Sequence, residues 1–187
     1  MTTDGSVPLA EKVVRLHETL AAAGLTHAFG GALALAYCTA EPRTTRDVDL
    51  NVFVAPEEAG AVFAILPPGV QHDTADRELA ERDGQVRVWW DITPIDLFFA
   101  YHDFHRHAAN QRRMVPFARG EIPVIDGTDL VVFKAFFDRP KDWVDIEEVA
   151  IVGGADFVVA SNWLVDLLGA DDPRVGKLES VRLAHPR

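Results

Sequence analysis

The sequence is poor in cysteine and basic residues and contains no long hydrophobic run. Cys38 is the single cysteine among 187 residues, which excludes an internal disulfide and a zinc site built from cysteine clusters. No apolar run approaches the roughly 20 residues that a membrane-spanning helix needs. The first residues also lack a basic region followed by a hydrophobic one. We therefore expect a cytoplasmic protein that has no membrane partner.

Acidic residues outnumber basic ones by 29 to 18, so the formal net charge is −11. This charge argues against sequence-blind adhesion to nucleic acid, although a local basic patch is compatible with it. One such patch is the segment 101–119, which has four arginines and three histidines against one acid. It indicates either a solvated surface or a site for an acceptor or a triphosphate.

The strongest chemical pattern lies between residues 29 and 54. The pair Gly30-Gly31 opens a small-residue apolar run, which predicts a turn and a helix start suited to a phosphate. Asp47 and Asp49 then lead into an apolar run that predicts a buried strand. Since side chains two apart in a strand share a face, we expect the two carboxylates to lie together. Such a pair repels unless a cation separates it, so it predicts a Mg²⁺ site.

These motifs resemble the nucleotidyltransferase superfamily that shares its catalytic core with DNA polymerase β. The signature of that superfamily is a Gly-Gly or Gly-Ser turn, a helix, and Asp-x-Asp at the start of a strand. A closer resemblance is to small bacterial members with Arg-x-Thr-x-Asp-x-Asp-Leu, which is RTTRDVDL from Arg43 to Leu50 here. Those members include abortive-infection toxins of toxin–antitoxin systems and small antibiotic nucleotidyltransferases.

The resemblance implies an α/β (α+β) nucleotidyltransferase fold, in which a small mixed sheet is flanked by helices. We expect residues 1–150 to form this core and residues 151–187 to form a short helical C-terminal tail on the same domain. The tail is too short to be a second catalytic domain.

A third acid is expected from the apolar run PIDLFFA, residues 94–100. A charge such as Asp96 is costly to bury there without a partner, and a metal shared with Asp47 and Asp49 would compensate it. In the superfamily an acid on a neighbouring strand completes a carboxylate triad, and Asp96 matches that position by its context. Asp91 is the alternative, but it falls in a predicted turn, where an aspartate needs no function.

The predicted helix at 130–137 is apolar except for Lys134. A lone lysine in a buried helix usually has an anionic partner, or its stem extends to water. The resemblance implies contact with the nucleotide phosphates, because small members carry a lysine here, followed by a segment that matches Arg139 to Asp145. The functions of Asp142 and Asp145 stay open, since acids at a helix start are stabilised by the helix dipole without any function.

The resemblance further implies an enzyme that moves an NMP from an NTP to a hydroxyl acceptor. Two Mg²⁺ ions, with Mn²⁺ as an alternative, would be held by the catalytic acids Asp47, Asp49 and Asp96. The expected triphosphate ligands are Gly30, Gly31, Arg43, Thr45, Arg46 and Lys134. Thr45 has the alternative role of supporting the turn.

The acceptor is expected to be RNA, including tRNA, or a small hydroxylated molecule such as an antibiotic, and a toxin would also have an antitoxin partner. The basic segment 101–119 favours RNA. Asp-x-Asp also occurs in sugar-nucleotide glycosyltransferases, which need a longer chain, and in phosphohydrolases, where the hydrophobic strand precedes the acids. A non-catalytic nucleotide-binding domain of the same fold is the alternative from another class.

Overall fold

The structure is a computed structural model that describes residues 7–41 and 44–186. Arg43, one of the predicted phosphate ligands, lies outside the described residues. The helices are α1 (Leu9–Ala22), α2 (Gly31–Thr39), α3 (Ala59–Phe63), α4 (Thr74–Asp83), α5 (Asp103–Gln111), α6 (Gly127–Phe137), α7 (Pro140–Val152), α8 (Phe157–Leu168) and α9 (Pro173–Ala184). The strands are β1 (His27–Phe29), β2 (Val48–Val52), β3 (Val70–Gln71), β4 (Gln85–Trp90), β5 (Thr93–Phe99), β6 (Arg113–Phe117) and β7 (Gly120–Val124).

The strands within the described residues form one sheet in the order β3-β4-β5-β2-β1-β7-β6. β2 runs parallel to β5, and β1 runs parallel to β7, whereas the other neighbouring pairs are antiparallel. The prediction of a mixed sheet flanked by helices is therefore confirmed.

Alternation along β2 and β5 separates a core face of the sheet from a face that carries acids. The core face of these two strands consists of Val48, Leu50, Val52, Ile95, Leu97 and Phe99, none of which has any exposed surface. Asp49 and Asp96 alternate with them and therefore point to the opposite face. The core thus fixes the direction in which the two carboxylates project.

The C-terminal helices pack against α6, which is mostly buried. The Arg174 guanidinium on α9 donates to the Phe136 carbonyl at 2.7 Å, and Lys177 Nζ lies 2.7 Å from Asp138 Oδ1. These contacts join the tail to the end of α6. The predicted domain boundary at residue 150 falls inside α7 and stays a prediction. Among the described helices, none is long and apolar enough to cross a membrane.

Local structure differs from the sequence prediction in two segments. Acids ahead of apolar residues predict a helix over 56–66, but this segment divides into a 3-10 turn, Pro56–Glu58, and the short α3. The polar segment 71–84 predicts a loop with a short helix, whereas it contains the regular helix α4, because the Asp73 carboxylate accepts hydrogen bonds from two first-turn amides. Much of the basic segment 101–119 is regular, as α5 and β6.

Candidate active site

The parallel pairing of β2 with β5 places Asp49 directly opposite Asp96. Asp47 lies in a bend just before β2, so the prediction that both acids of the pair belong to the strand is wrong for Asp47. The choice of Asp96 over Asp91 agrees with this geometry. Asp91 occupies the turn after β4 with a positive φ of 53° and pairs with Lys12 at 3.1 Å.

Thr45 holds the side chain of Asp47. Its hydroxyl donates to Asp47 Oδ1 at 2.6 Å and lies 3.2 Å from the Asp47 carbonyl oxygen. This contact fits the turn-supporting role of Thr45, whereas its contact with a phosphate stays a prediction. The neighbouring Arg46 is exposed just ahead of β2, and its phosphate contact stays a prediction too.

Asp96 forms a bidentate ion pair with Arg87, a residue that the sequence reasoning missed. The Arg87 Nε and Nη2 atoms lie 2.7 Å from the two Asp96 carboxylate oxygens. Arg87 stands opposite Asp96 in the antiparallel pair β4–β5. The Asp96 side chain is 18% exposed and that of Arg87 is 52% exposed, so the guanidinium shields the acid from one side. The polar position within QVRVWW was the signal that could have identified it.

Asp49 is the acid on which burial and the neighbouring carboxylates act together. Burial, followed by the charges of Asp47 and Asp96, raises the pKa of Asp49 to about 6. Carboxylates that repel in this way are typical ligands of a hard divalent cation, so the donor chemistry fits Mg²⁺. Within the described ranges, no three His, Cys, Asp or Glu side chains are already arranged to hold a metal ion. To bind the ion, the Asp96 carboxylate would have to give up its ion pair with Arg87.

Gly30 and Gly31 bring the start of α2 against Asp49. The Gly30 amide donates to the Asp49 carbonyl at 2.9 Å, so the prediction that this amide is free for a phosphate is wrong. Gly31 has a φ of 52°, and a Cβ there would lie 2.5 Å from Asp49 Cγ. Helix geometry leaves the first-turn amides of α2 without intrahelical acceptors. The glycine pair therefore permits close approach of the carboxylate, and the helix start offers donors beside it.

Lys134 lines the same cleft as Gly31 and Asp49. Its Nζ lies 2.6 Å from Asp145 Oδ2 and 3.6 Å from Asp142 Oδ1. The side chain thus has the anionic partners that a buried lysine needs. Its role toward a phosphate stays a prediction.

Arg139 is a further cation at the cleft, and Asp142 positions it. Asp142 has no exposed surface and accepts from Arg139 Nε at 2.6 Å. Arg139 lines both the cleft of Asp49 and the neighbouring groove that contains Asp96. Asp142, then Asp49 and Asp96, raise the pKa of its guanidinium. The sequence left the roles of Asp142 and Asp145 open. In the structure both acids contact Lys134, and Asp142 also orients Arg139.

Two of the four arginines of 101–119 line a different groove. Arg106 and Arg112 line a depression formed with residues of α5 and the end of β5, and none of the three catalytic candidates lines it. Arg106 pairs with Asp103. His105 is buried, and burial lowers its pKa to about 4, so its imidazole is neutral near pH 7.

No protein-family model and no curated protein matches the sequence. Solved structures do match the fold. An antigenic nucleotidyltransferase-like protein from Paracoccidioides brasiliensis has a TM-score of 0.56 and 13% identity, with 95% of this chain and 88% of that chain covered. The antibiotic-resistance factor ANT(2'')-Ia, in a crystal structure with adenylyl-2''-tobramycin, has a TM-score of 0.52 and 16% identity, covering 94% and 95% of the two chains. The chain therefore has a nucleotidyltransferase-like fold.

Proposed function

We propose that the protein is a metal-dependent nucleotidyltransferase that moves an NMP from an NTP to a hydroxyl acceptor. The observation that carries this proposal is the register of β2 and β5, which sets Asp49 opposite Asp96 with Asp47 just ahead. The start of α2, Lys134 and Arg139 line one cleft with Asp49, and Arg139 also lines the groove that contains Asp96. Acids and phosphate-binding donors on one cleft are what phosphoryl chemistry requires.

The donor NTP would lie with its triphosphate between the start of α2 and Lys134. The free amides and the positive end of the α2 dipole favour an anion at this point. Lys134 and Arg139 line the same cleft and would offset the remaining phosphate charge. Binding of this kind holds the α-phosphorus in place for in-line attack, which is the main task of a protein in this chemistry.

Asp47, Asp49 and Asp96 would hold two Mg²⁺ ions, or Mn²⁺. Once bound, such ions neutralise phosphate charge and polarise the reacting oxygens. Burial, followed by the charges of Asp47 and Asp96, raises the pKa of Asp49 to about 6, and a bound cation would offset both effects. Thr45 would keep the Asp47 carboxylate directed toward the site through its hydrogen bond of 2.6 Å.

Asp96 is the residue we assign to the acceptor side. In the reaction, the acceptor oxygen forms a bond to the α-phosphorus while the bond from that phosphorus to the pyrophosphate oxygen breaks. The acceptor's proton would pass to an Asp96 carboxylate oxygen. Arg87 orients that carboxylate in the free protein through its two contacts of 2.7 Å.

The acceptor is proposed to be a small hydroxylated molecule. The basic segment 101–119 favoured RNA. However, Arg106 and Arg112 line a groove to which none of the three acids contributes. An RNA bound there would need its reacting hydroxyl to reach the separate carboxylate cleft. RNA as an acceptor, together with an antitoxin partner, remains the alternative.

The test is transfer of label from each α-labelled NTP, with Mg²⁺, to either total RNA or a pool of small hydroxylated compounds. We expect wild-type protein to label the small-molecule pool and the variant Asp47→Ala/Asp49→Ala to label nothing. Label on RNA alone would establish the alternative acceptor. NTP binding by wild type without label on any acceptor would indicate a non-catalytic nucleotide-binding domain and overturn the proposal.

A further inference from the structure

An aromatic cavity lies beside the carboxylates, between β5 and the helices α5, α6 and α8. Its volume is about 230 Å³. The aromatic residues that line it include Phe98, Tyr101, Phe104, Phe133, Phe136 and Phe137. Ligand pockets are typically concave and apolar with few polar groups, and those of drug-sized ligands are roughly 300–1,000 Å³. This cavity therefore suits a small, planar and mostly apolar ligand.

Phe98 connects the cavity to the candidate active site. It lies two residues after Asp96 on β5, so both side chains project from the same face of the sheet. Phe98, Phe137 and Gln85 line both the cavity and the groove that contains Asp96. A ligand on the aromatic walls could thus extend a substituent toward the Asp96 carboxylate.

The charges around the cavity do not fit a polycation. Among the described lining residues, Asp83 is the acidic one, and Arg82 pairs with it at 2.7 Å. His105 also lines the cavity, and its burial lowers the imidazole pKa to about 4. The walls near pH 7 are therefore aromatic and nearly uncharged. Lys134 and Arg139 line the adjoining cleft and are not among the described residues of this cavity.

We propose that this cavity binds the acceptor and that the acceptor is a small, uncharged aromatic compound with a hydroxyl group. The inference rests on the proposed function, since the hydroxyl is the group that would receive the NMP. The ring would pack against the aromatic walls by edge-to-face and offset stacking. Its hydroxyl would point along the line from Phe98 to Asp96, which is the acid assigned to the acceptor.

The test uses phenol and 1-naphthol as probes and calorimetric titration as the measurement. Leu167 lines the cavity from α8, so Leu167→Trp should fill it and weaken naphthol binding at least tenfold. The affinity for ATP with Mg²⁺ should remain within twofold of wild type, because Leu167 does not line the cleft that contains Asp49 and Lys134. The matched control is Asn162→Trp, an exposed position on the same helix, which should leave both affinities unchanged.

Thermal denaturation would show whether the variants fold. If Leu167→Trp does not fold, Leu167→Phe would fill the cavity with a smaller side chain. The inference would be overturned if neither phenol nor 1-naphthol bound to the wild-type protein. Equal binding by wild type and the filling variants would overturn it as well. An equal loss of ATP affinity in the filling variants would also overturn it, because the occupant would then be the nucleobase of the donor.

Label transfer separates this inference from the proposed function. Transfer to naphthol that is lost in Leu167→Trp supports both. Transfer to RNA or to an aminoglycoside that Leu167→Trp leaves unchanged would refute the aromatic acceptor and keep the nucleotidyltransferase. Naphthol binding without NMP transfer to any acceptor would refute the nucleotidyltransferase itself, and the acceptor role of the cavity with it.

Discussion

The contact between Gly31 and Asp49 shows how a single missing side chain shapes the candidate site. Gly31 adopts a φ of 52°, and the Asp49 carboxylate occupies the space that a Cβ would take. In left-handed backbone conformations glycine has a smaller steric penalty than residues with a Cβ atom. The glycine therefore serves two needs at once, namely a backbone conformation and room for a carboxylate.

The variant Gly31→Ala should abolish Mg²⁺-dependent NTP binding, because its Cβ displaces the Asp49 carboxylate. Gly24→Ala is the matched control, since Gly24 has a φ of 70° but nothing within 4 Å of its added Cβ. Left-handed alanine costs roughly 1–2 kcal/mol of stability in either variant. Calorimetric NTP titration and urea unfolding would measure both effects. Equal NTP affinity in the two variants would contradict the assigned role of Asp49.

Asp129 is a buried acid whose ionisation opposes folding. It has no exposed surface, and within the described part of the chain neither of its oxygens accepts a hydrogen bond, although His107 Nε2 lies 3.3 Å away. Burial, followed by the charge of Asp126, raises the pKa of Asp129 to about 7 from 3.8. The folded state thus binds the proton more tightly than the unfolded state. The penalty is complete above about pH 7 and declines as the pH falls toward 3.8.

Asp129→Asn should therefore increase the free energy of unfolding at about pH 8, by on the order of 2 kcal/mol. The gain should shrink at about pH 5, where wild-type Asp129 is largely protonated in the folded state. Urea unfolding of both proteins at the two pH values would test this. Destabilisation at about pH 8 would instead mean that the contact with His107 stabilises the ionised acid.

The elements α6 and α7 meet through buried charges. Lys134 on α6 contacts Asp145 and Asp142 of α7, and Asp142 also accepts from Arg139 at the helix start. The Lys134 side chain is 8% exposed, so these charges interact in a poorly solvated environment. Such a network fixes the angle between two helices and the position of two cations at the cleft.

Removal of Lys134 should destabilise the protein, because it leaves acids of α7 buried without this cation. Lys134→Met is expected to lower the free energy of unfolding by roughly 3–5 kcal/mol. The double variant Lys134→Met/Asp145→Asn should recover part of that stability. Neither variant should bind NTP as wild type does, if Lys134 contacts the phosphates. Full recovery of NTP affinity in the double variant would limit Lys134 to a structural role.

At the scale of the whole molecule, the sheet assembles the candidate site from distant parts of the chain. β2 and β5 are separated by α3, β3, α4 and β4 in sequence, yet they pair in register. Pairing of strands this far apart requires closure of a long loop, which the buried core residues of both strands stabilise. The acids are thus held together by core packing, and their own repulsion opposes it.

Mg²⁺ should accordingly stabilise the folded molecule. A ligand that binds the folded state alone, at 100 times its Kd, stabilises it by roughly 2.7 kcal/mol. We expect Mg²⁺ to raise the Tm of wild type and to leave Asp47→Asn/Asp49→Asn unchanged, with Tm measured by scanning calorimetry. Asp103→Asn/Asp166→Asn changes the net charge equally at exposed positions and should keep the Mg²⁺ response. An identical response in all three proteins would rule out a specific site.

The sequence was sufficient to predict the strand β2, the helix α6 and the three candidate acids. Apolar runs and strand-forming residues lie within each of these segments, so the signals are local. For the segment of α4 the sequence predicted only a loop with a short helix, since its polar residues lack apolar periodicity and its start depends on the Asp73 cap.

Which groups meet depends on how the elements pack together. The pairing of Arg87 with Asp96, the engagement of the Gly30 amide by Asp49, and the separation of the basic groove from the acids all depend on strand register. Register is a property of two distant segments and of the core beneath them, so no single stretch of sequence contains it. The aromatic cavity likewise exists because β5, α5, α6 and α8 converge there.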